Sequence, residues 1–468
     1  MNIEDFNGYI TFREEVFPFT FHKNTITILP YSLEKWNELS GEWFYRDFDK
    51  HDNKKWLDKI ILDGITDKRE GVKFFVTDNP AFYNGYYSFK VEFLYVYNHK
   101  KDVDEMEDII GIKFSGPEFN YLYDISGYIT SDFETKDNKF HKFNLELSSK
   151  EDKKLGKFRW HSYSVSVSGG FSWRKNNDAY SPLEVNSIIR LELSSICTDL
   201  YKIIDLVNIQ KQVMFFMTYR KNITFNKIEM YNYTSDGLRK NVGNLYIFTE
   251  NSVCENDIKN LKKIIDLQDI NENFAKLYKM VIDNKIYMNH ICEDMHQRNK
   301  YYPSRMLSIL IAFEHTYNSF HKDKIIVNDD FEYIRKMTLD YLESEKKNFT
   351  GKKKDKIRKM INSISKLKLD YGEYLKNALL DNYLILKPFI LKQYEVKNAK
   401  PVISSCSKRI NKIRNSMAHG ILDINFKPIN SRDIHIIEYL IYCMILREMK
   451  ISDDVIMDKL KKIFNIYI

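Results

Sequence analysis

The chain has 468 residues and a formal net charge of +7, with 72 Lys and Arg against 65 Asp and Glu. At 43% hydrophobic and 15% aromatic it has the apolar material for two or three domains, which excludes wholesale disorder. Sixteen Gly and nine Pro exclude collagen-like and low-complexity classes as well. Five cysteines without CxxC spacing point to a reducing cytoplasm rather than a secreted disulfide framework. Residues 1–6 are acidic and lack the apolar stretch of a signal peptide. The longest apolar run, 439–446, has eight residues, against the roughly 20 that a membrane-spanning helix needs. The expectation is a soluble, cytoplasmic protein with no membrane partner.

Composition changes near residue 250. All five Trp and 13 of the 16 Gly precede it, and residues 1–250 sum to −4, leaving +11 for 251–468. The first part reads as β. Near-alternating patterns over 72–77, 87–93, 140–147 and 162–168, the last followed by Gly169 and Gly170 as a turn, predict an antiparallel sandwich or barrel. One helix interrupts at 199–219, with Asp199 as its N-cap and Leu200, Ile203, Ile204, Val207 and Met214 as its apolar stripe. Strands are expected again over 223–233 and 244–249. The second part reads as α, with helices over 257–267, 271–282, 304–320 (Ser304 as N-cap), 329–345, 351–366, 370–395, 403–419, 431–449 and 452–465. The composite is an α+β chain: a β-rich regulatory domain over 1–250 and an all-α helical bundle over 251–468.

Common catalytic signatures fail. Gly169-Gly170 belongs to no G-x-G-x-x-G, Gly351-Lys352 to no P-loop, and there is no H-E-x-x-H or G-x-S-x-G. His290, Cys292 and His296 have offsets that do not share a helical face, so no metal ligand set and no cofactor is expected. What survives is Lys412-Ile413-Arg414-Asn415-Ser416-Met417-Ala418-His419-Gly420. A second Arg-x4-His, Arg46 to His51, lies in a stretch without helical pattern and reads as coincidence. The 414–419 pair closes a predicted helix with Ile410, Ile413 and Met417 on its buried side. Asn415 and His419, four apart, lie on nearly one face, and Gly420 suits the C′ position. The negative end of the helix favours an imidazolium there. Arg414 is rotated away from His419. On RNA these residue types make chemical sense: cleavage by the 2′-hydroxyl needs a base, an acid and a cation for the charged pentacoordinate state. His moves protons near neutral pH, and Arg offers a fork of donors to phosphate oxygens. The plain alternative is a capped helix with an exposed His and an Arg in a surface ion pair.

The 414–419 segment resembles the Arg-x4–6-His signature of the HEPN superfamily (higher eukaryotes and prokaryotes nucleotide-binding). The β-then-α layout is similar to that of the ApeA-like branch of bacterial anti-phage HEPN proteins. The resemblance covers residues 300–450; the first 250 match in layout alone. It implies that Arg414 and His419 are catalytic with Asn415 supporting them, and that two copies dimerise so that two motifs face one cleft. The helix from Arg305 to Glu314 resembles an early HEPN helix ending in Ala-x-Glu, which implies that Glu314 orients Arg414. The family reading is a metal-independent endoribonuclease acting in anti-phage abortive infection. It leaves 2′,3′-cyclic phosphate and 5′-hydroxyl ends on structured RNA such as tRNA, under a β domain that senses a phage-derived trigger. Lysine and arginine near the motif supply attraction to phosphate: Lys352, Lys353, Lys354, Lys356, Arg358 and Lys359 in one run, and Lys408, Arg409 and Lys412 on the approach. The rival is a non-catalytic ligand- or partner-binding protein whose HEPN-like bundle serves dimerisation or nucleotide binding. The tryptophans of the first half (Trp36, Trp43, Trp56, Trp160, Trp173) are expected mainly in its core.

Overall fold

The computed structural model describes residues 5–12, 14–37, 60–76, 81–83, 86–98, 108–123, 129–136, 139–147, 152–175, 183–248, 255–320, 329–365, 371–419 and 427–466. The fold is α+β. The chain forms two compact units, 1–282 with 291–295, and 283–290 with 296–468.

The first unit opens with a closed antiparallel barrel. Its strands are β1 (Phe6–Phe12), β2 (Glu15–His22), β3 (Thr25–Ile28), β4 (Ile60–Thr66), β5 (Glu70–Val76) and β7 (Tyr86–Asn98), with the short β6 (Ala81–Tyr83) paired to β7. Hydrogen bonding runs β1-β2-β3-β7-β5-β4 and back to β1. Closure removes sheet edges, and alternate residues point inward. Phe17, Phe19, Phe21, Phe74 and Phe89 fill the interior with Ile10, Ile26, Val72 and Leu94; Phe19 and Phe74 meet edge to face at 5.3 Å. Burying such rings is the main stabilising term.

β7 is long enough to serve two sheets. Tyr87–Lys90 pair with β3, while 93–97 pair with β15 (Arg239–Ile247). From there an antiparallel sheet runs β15, β14 (Lys227–Tyr233), β8 (Ile109–Ser115), β13 (Leu183–Cys197), β12 (Tyr163–Lys175) and β11 (Lys153–Trp160). A separate hairpin joins β9 (Ile129–Lys136) to β10 (Lys139–Leu147). Helix α1 (Leu200–Thr218) starts as its sequence predicts, the Asp199 carboxylate accepting from the backbone N–H groups of Tyr201 and Lys202 at 3.0 and 3.3 Å. It is apolar around most of its circumference and correspondingly buried. The strand expected to end at Gly169 instead continues through both glycines, which pair with Ile189 and Ile188 of β13. These glycines answer close packing, since a Cβ on Gly169 would lie 3.1 Å from both Leu155 and the Tyr123 ring. Trp160 is buried and Trp173 largely exposed; Trp43 and Trp56 lie outside the described residues.

Residues 255–282, expected with the helical half, belong to the first unit. The 257–267 helix shrinks to Ile258–Leu261, and a 3-10 turn at Asn271–Asn273 leads into α2 (Phe274–Ile282). The Tyr278 ring of α2 stacks on Phe158 at 4.8 Å, and its hydroxyl donates to Gln210 of α1. The contacts that bury α2 thus come from β11 and α1. The 291–295 segment returns to the same unit, Cys292 and Glu293 accepting from the N–H groups of Lys221 and Asn222 at 2.9 Å.

The second unit is helical. It comprises α3 (Pro303–Phe320), α4 (Asp329–Glu345), α5 (Gly351–Ser365), α6 (Tyr371–Asp381), α7 (Tyr383–Tyr394), α8 (Lys400–Ala418), α9 (Pro428–Glu448) and α10 (Asp453–Phe464). α3 begins one residue earlier than expected, with Pro303 at its first position rather than Ser304 as cap. The helix expected over 370–395 is two, because Asn382 leaves helical geometry (φ −105°, ψ 17°), its side-chain amide donating to the Ala378 carbonyl at 2.8 Å. The apolar run 439–446 is the unit's centre: α9 packs against α3, α7, α8 and α10, and 439–446 are all buried. Among the described residues no helix is long and apolar enough to cross a membrane. Replacing Phe74 by Ala should destabilise the barrel by about 3–5 kcal/mol, read as a lowered denaturant midpoint; a change below about 1 kcal/mol would contradict the packed interior described above.

Candidate functional site

α8 is amphipathic. Ile403, Cys406, Ile410, Ile413 and Met417 form its buried stripe. On the opposite side Lys408, Lys412, Asn415 and His419 are all exposed. Offsets of four, three and four keep these four within one narrow line along the helix. His419 is the C-cap, its backbone N–H donating to the carbonyls of Asn415 and Ser416 at 3.1 and 3.2 Å. Gly420, expected at C′, lies outside the described residues, as does the Arg46–His51 match.

Arg414 leaves that line. Five residues from His419, it stands about 140° away around the helix, half-buried toward α3 and α6. Its Nη2 donates to Glu314 Oε2 at 3.4 Å, and its guanidinium lies 5.6 Å from the centre of the Tyr371 ring. Tyr371 is itself fixed: its hydroxyl donates to the Leu310 carbonyl at 3.2 Å, and Phe313 meets its ring edge-on at 5.5 Å. Burial holds the Tyr371 phenol well above its usual range, with the Glu314 carboxylate pushing the same way. Burial and then Glu314 raise Tyr374. Tyr317, 5.3 Å from the Tyr374 ring, is pushed up to about 12 by burial and by Asp381. These tyrosines stay neutral near pH 7 and serve as donors and ring faces. Among the described residues no hydrogen bond or ion pair joins Arg414 to His419. Glu314 and Arg414, 100 residues apart, do meet.

The other basic residues divide. Lys408 and Lys412 extend the His419 line. Arg409 is committed elsewhere: its Nε and Nη2 each donate to the buried Asp433 carboxylate at 2.7 Å, and Tyr394 donates to the same group. The Asp433 hydrogen bonds raise the Arg409 pKa, so it ties α8 to α9. Lys352, Lys353, Lys354, Lys356, Arg358 and Lys359 lie exposed along α5, Arg358 only 3.6 Å from Asp355. α5 packs against α4, which leaves Tyr333, Ile334, Met337 and Tyr341 on its surface at 56–70% exposure.

A buried ion pair joins α3 to α9. Arg305, at the start of α3, is 3.2 Å from Glu438 of α9, and it also donates to the carbonyls of Arg298 and Lys300 at 2.7 and 3.0 Å. Tyr301 donates to the other Glu438 oxygen at 2.6 Å. Nearby His435 sits 5.1 Å from the Tyr301 ring, and its Nδ1 is 3.2 Å from the Gln393 amide. Burial lowers the His435 pKa, overriding Glu438, and Arg298 and Arg305 reinforce the lowering.

His290 Nδ1 donates to the Tyr287 carbonyl at 2.6 Å, and Cys292 donates to the Tyr219 carbonyl at 3.0 Å. Among the described residues no group of three or more His, Cys, Asp or Glu side chains is placed to hold a metal ion. The spacing of the sequence does not reveal Tyr371, Tyr374 or Tyr317: nothing in the order of residues ties α6 to Arg414. Comparison of the chain with protein-family models, with curated proteins and with solved structures finds no match.

His435 yields a pH prediction. The unfolded chain protonates it near 6.5, while the folded chain resists until lower pH. Stability should therefore be complete above about 6.5 and fall as pH drops through the window below it, by at most about 1.4 kcal/mol per pH unit. Denaturant unfolding at a series of pH values should show this slope reduced in His435→Gln.

Proposed function

We propose that the chain is a HEPN-type endoribonuclease that cuts structured RNA, such as tRNA, without a metal ion, in growth-arresting anti-phage defence. The reading rests on one observation: Lys408, Lys412, Asn415 and His419 share an exposed line, with Arg414 on its flank held by Glu314 and Tyr371. On this reading Lys408 and Lys412 draw the phosphate backbone to α8. His419 moves the proton of the 2′-hydroxyl or of the leaving oxygen. Arg414 supports the charge on the pentacoordinate phosphorus, and Glu314 and Tyr371 keep its long side chain in place for that role. The products carry 2′,3′-cyclic phosphate and 5′-hydroxyl ends.

The wide angle between Arg414 and His419 gives the homodimer its role: the His of one copy and the Arg of the other grip one phosphate. The exposed apolar face of α4 offers a surface for self-association. Met337→Glu should lower the sedimenting mass toward that of one chain if this face is used; an unchanged mass removes α4 from the interface.

His419→Ala should lower cleavage of a tRNA pool in EDTA by about 100-fold or more, with circular dichroism and sedimentation unchanged. Arg414→Ala should relieve the growth defect on expression. Parent-like cleavage by His419→Ala refutes the assignment. The same divergence of Arg414 and His419 also favours a second reading, a non-catalytic binding bundle, in which both substitutions leave growth and RNA untouched.

A further inference from the structure

The outward face of the β11–β15 sheet can be mapped from its register. Lys157 of β11 lies opposite Ser166 of β12, which lies opposite Glu192 of β13; in the neighbouring row Lys154, Ser168 and Arg190 align. Beyond them Glu192 pairs with Gly111 of β8, and Gly111 with Tyr231 of β14. In a regular strand, residues three apart point to opposite faces. Here a bulge between Lys154 and Lys157 adds a residue and turns both lysines to the same side. Gly156 sits in that bulge at φ +105°, and a Cβ there would lie 2.7 Å from Ala275, so only glycine serves at this position.

The sheet also curls. Asp152, just before β11, accepts from Arg239 at the start of β15 at 3.1 Å, although four strands intervene. A flat sheet would hold them roughly 20 Å apart or more. The resulting groove encloses about 840 Å³, lined by Asp152, Lys154, Lys157, Ser166, Ser168, Glu192, Arg239 and Glu272, within the usual size range of small-ligand sites.

Most charge on this face is already matched. Asp152 holds both Arg190 and Arg239. Glu192 accepts from the hydroxyls of Tyr231 and Tyr233 at 3.2 and 2.7 Å, and Lys113 pairs with Glu229. Among the described residues, Lys154, Lys157, Ser166 and Ser168 make no side-chain hydrogen bond or ion pair, and neither does Glu272. Two exposed lysines in neighbouring rows, each in register with a serine, have no protein acceptor for their ammonium groups, and a phosphate ester offers charged acceptor oxygens in place of water. Glu272 would repel that phosphate and is an acceptor for a hydroxyl or amino group elsewhere on the ligand.

We infer that this groove binds a phosphorylated small molecule of sugar-phosphate or nucleotide size, its phosphate between Lys154 and Lys157. The inference stands whether or not α8 cleaves RNA. Titration calorimetry on the full chain tests it with inorganic phosphate, ribose 5-phosphate and adenosine monophosphate. At least one carrier should bind tenfold or more tighter than inorganic phosphate. Affinity should fall tenfold or more in Lys154→Ala/Lys157→Ala and survive in Lys154→Arg/Lys157→Arg and in His419→Ala. Failure of all three probes, equal binding by the double alanine variant, or no preference over inorganic phosphate would each overturn it. So would capture of a single-stranded RNA oligomer at these lysines when neither carrier binds.

Discussion

Arg305 and Glu438 meet at 3.2 Å inside the helical unit, both nearly excluded from water, and the surroundings of Arg414 depend on that contact. A buried guanidinium is tolerable only when its donors are used. Arg305 uses both its Nη groups, on Glu438 and on the carbonyls of the segment leading into α3. This fixes where α3 begins and how it lies on α9, and so where Glu314 stands, nine residues further along. Arg409 and Asp433 make the corresponding tie between α8 and α9. The partly exposed Arg414–Glu314 pair closes the triangle and contributes little stability itself, since an exposed ion pair is worth about 0–1 kcal/mol. Rigid ties below and a weak pair above leave Arg414 held in place yet partly exposed.

Within the first unit the barrel and the sheet that branches from it bury their apolar residues differently. The barrel closes on itself, so its aromatic interior needs no cover. The sheet that branches from β7 cannot close, and α1 and α2 pack against it instead. Its curvature follows in part from Asp152, whose carboxylate draws β13 and β15 toward the β11 edge. The contacts of Asp152 with Arg190 and Arg239 span the polar face between the β11 and β15 ends of the sheet.

Much of the architecture was legible because local patterns were strong. Asp199 announces α1, the 329–345 periodicity gives α4, and the buried stripe of α8 was readable from Ile410, Ile413 and Met417. Where reading failed, tertiary contacts overrode local signals. Gly169 and Gly170 look like a turn, yet they continue a strand, Gly169 crowded by Leu155 and Tyr123 and Gly170 by Asp152. Residues 255–282 are helical in pattern, yet they pack on β11 and α1. Arg409 looks like another free cation beside the motif, but the partner that neutralises it is 24 residues away on α9.

By itself the sequence determined the α+β order through its residue patterns, the basic excess of the second half through its composition, and the shared face of Asn415 and His419 through the helical period. Tertiary structure decided which of these charges remain unmatched. Arg414 turns to Glu314 and Tyr371, Arg409 is used up on Asp433, and Lys154 and Lys157 are turned together by a bulge at Gly156. Partners lie tens to a hundred residues apart, and only packing brings their charges within the few ångströms over which an ion pair or hydrogen bond forms.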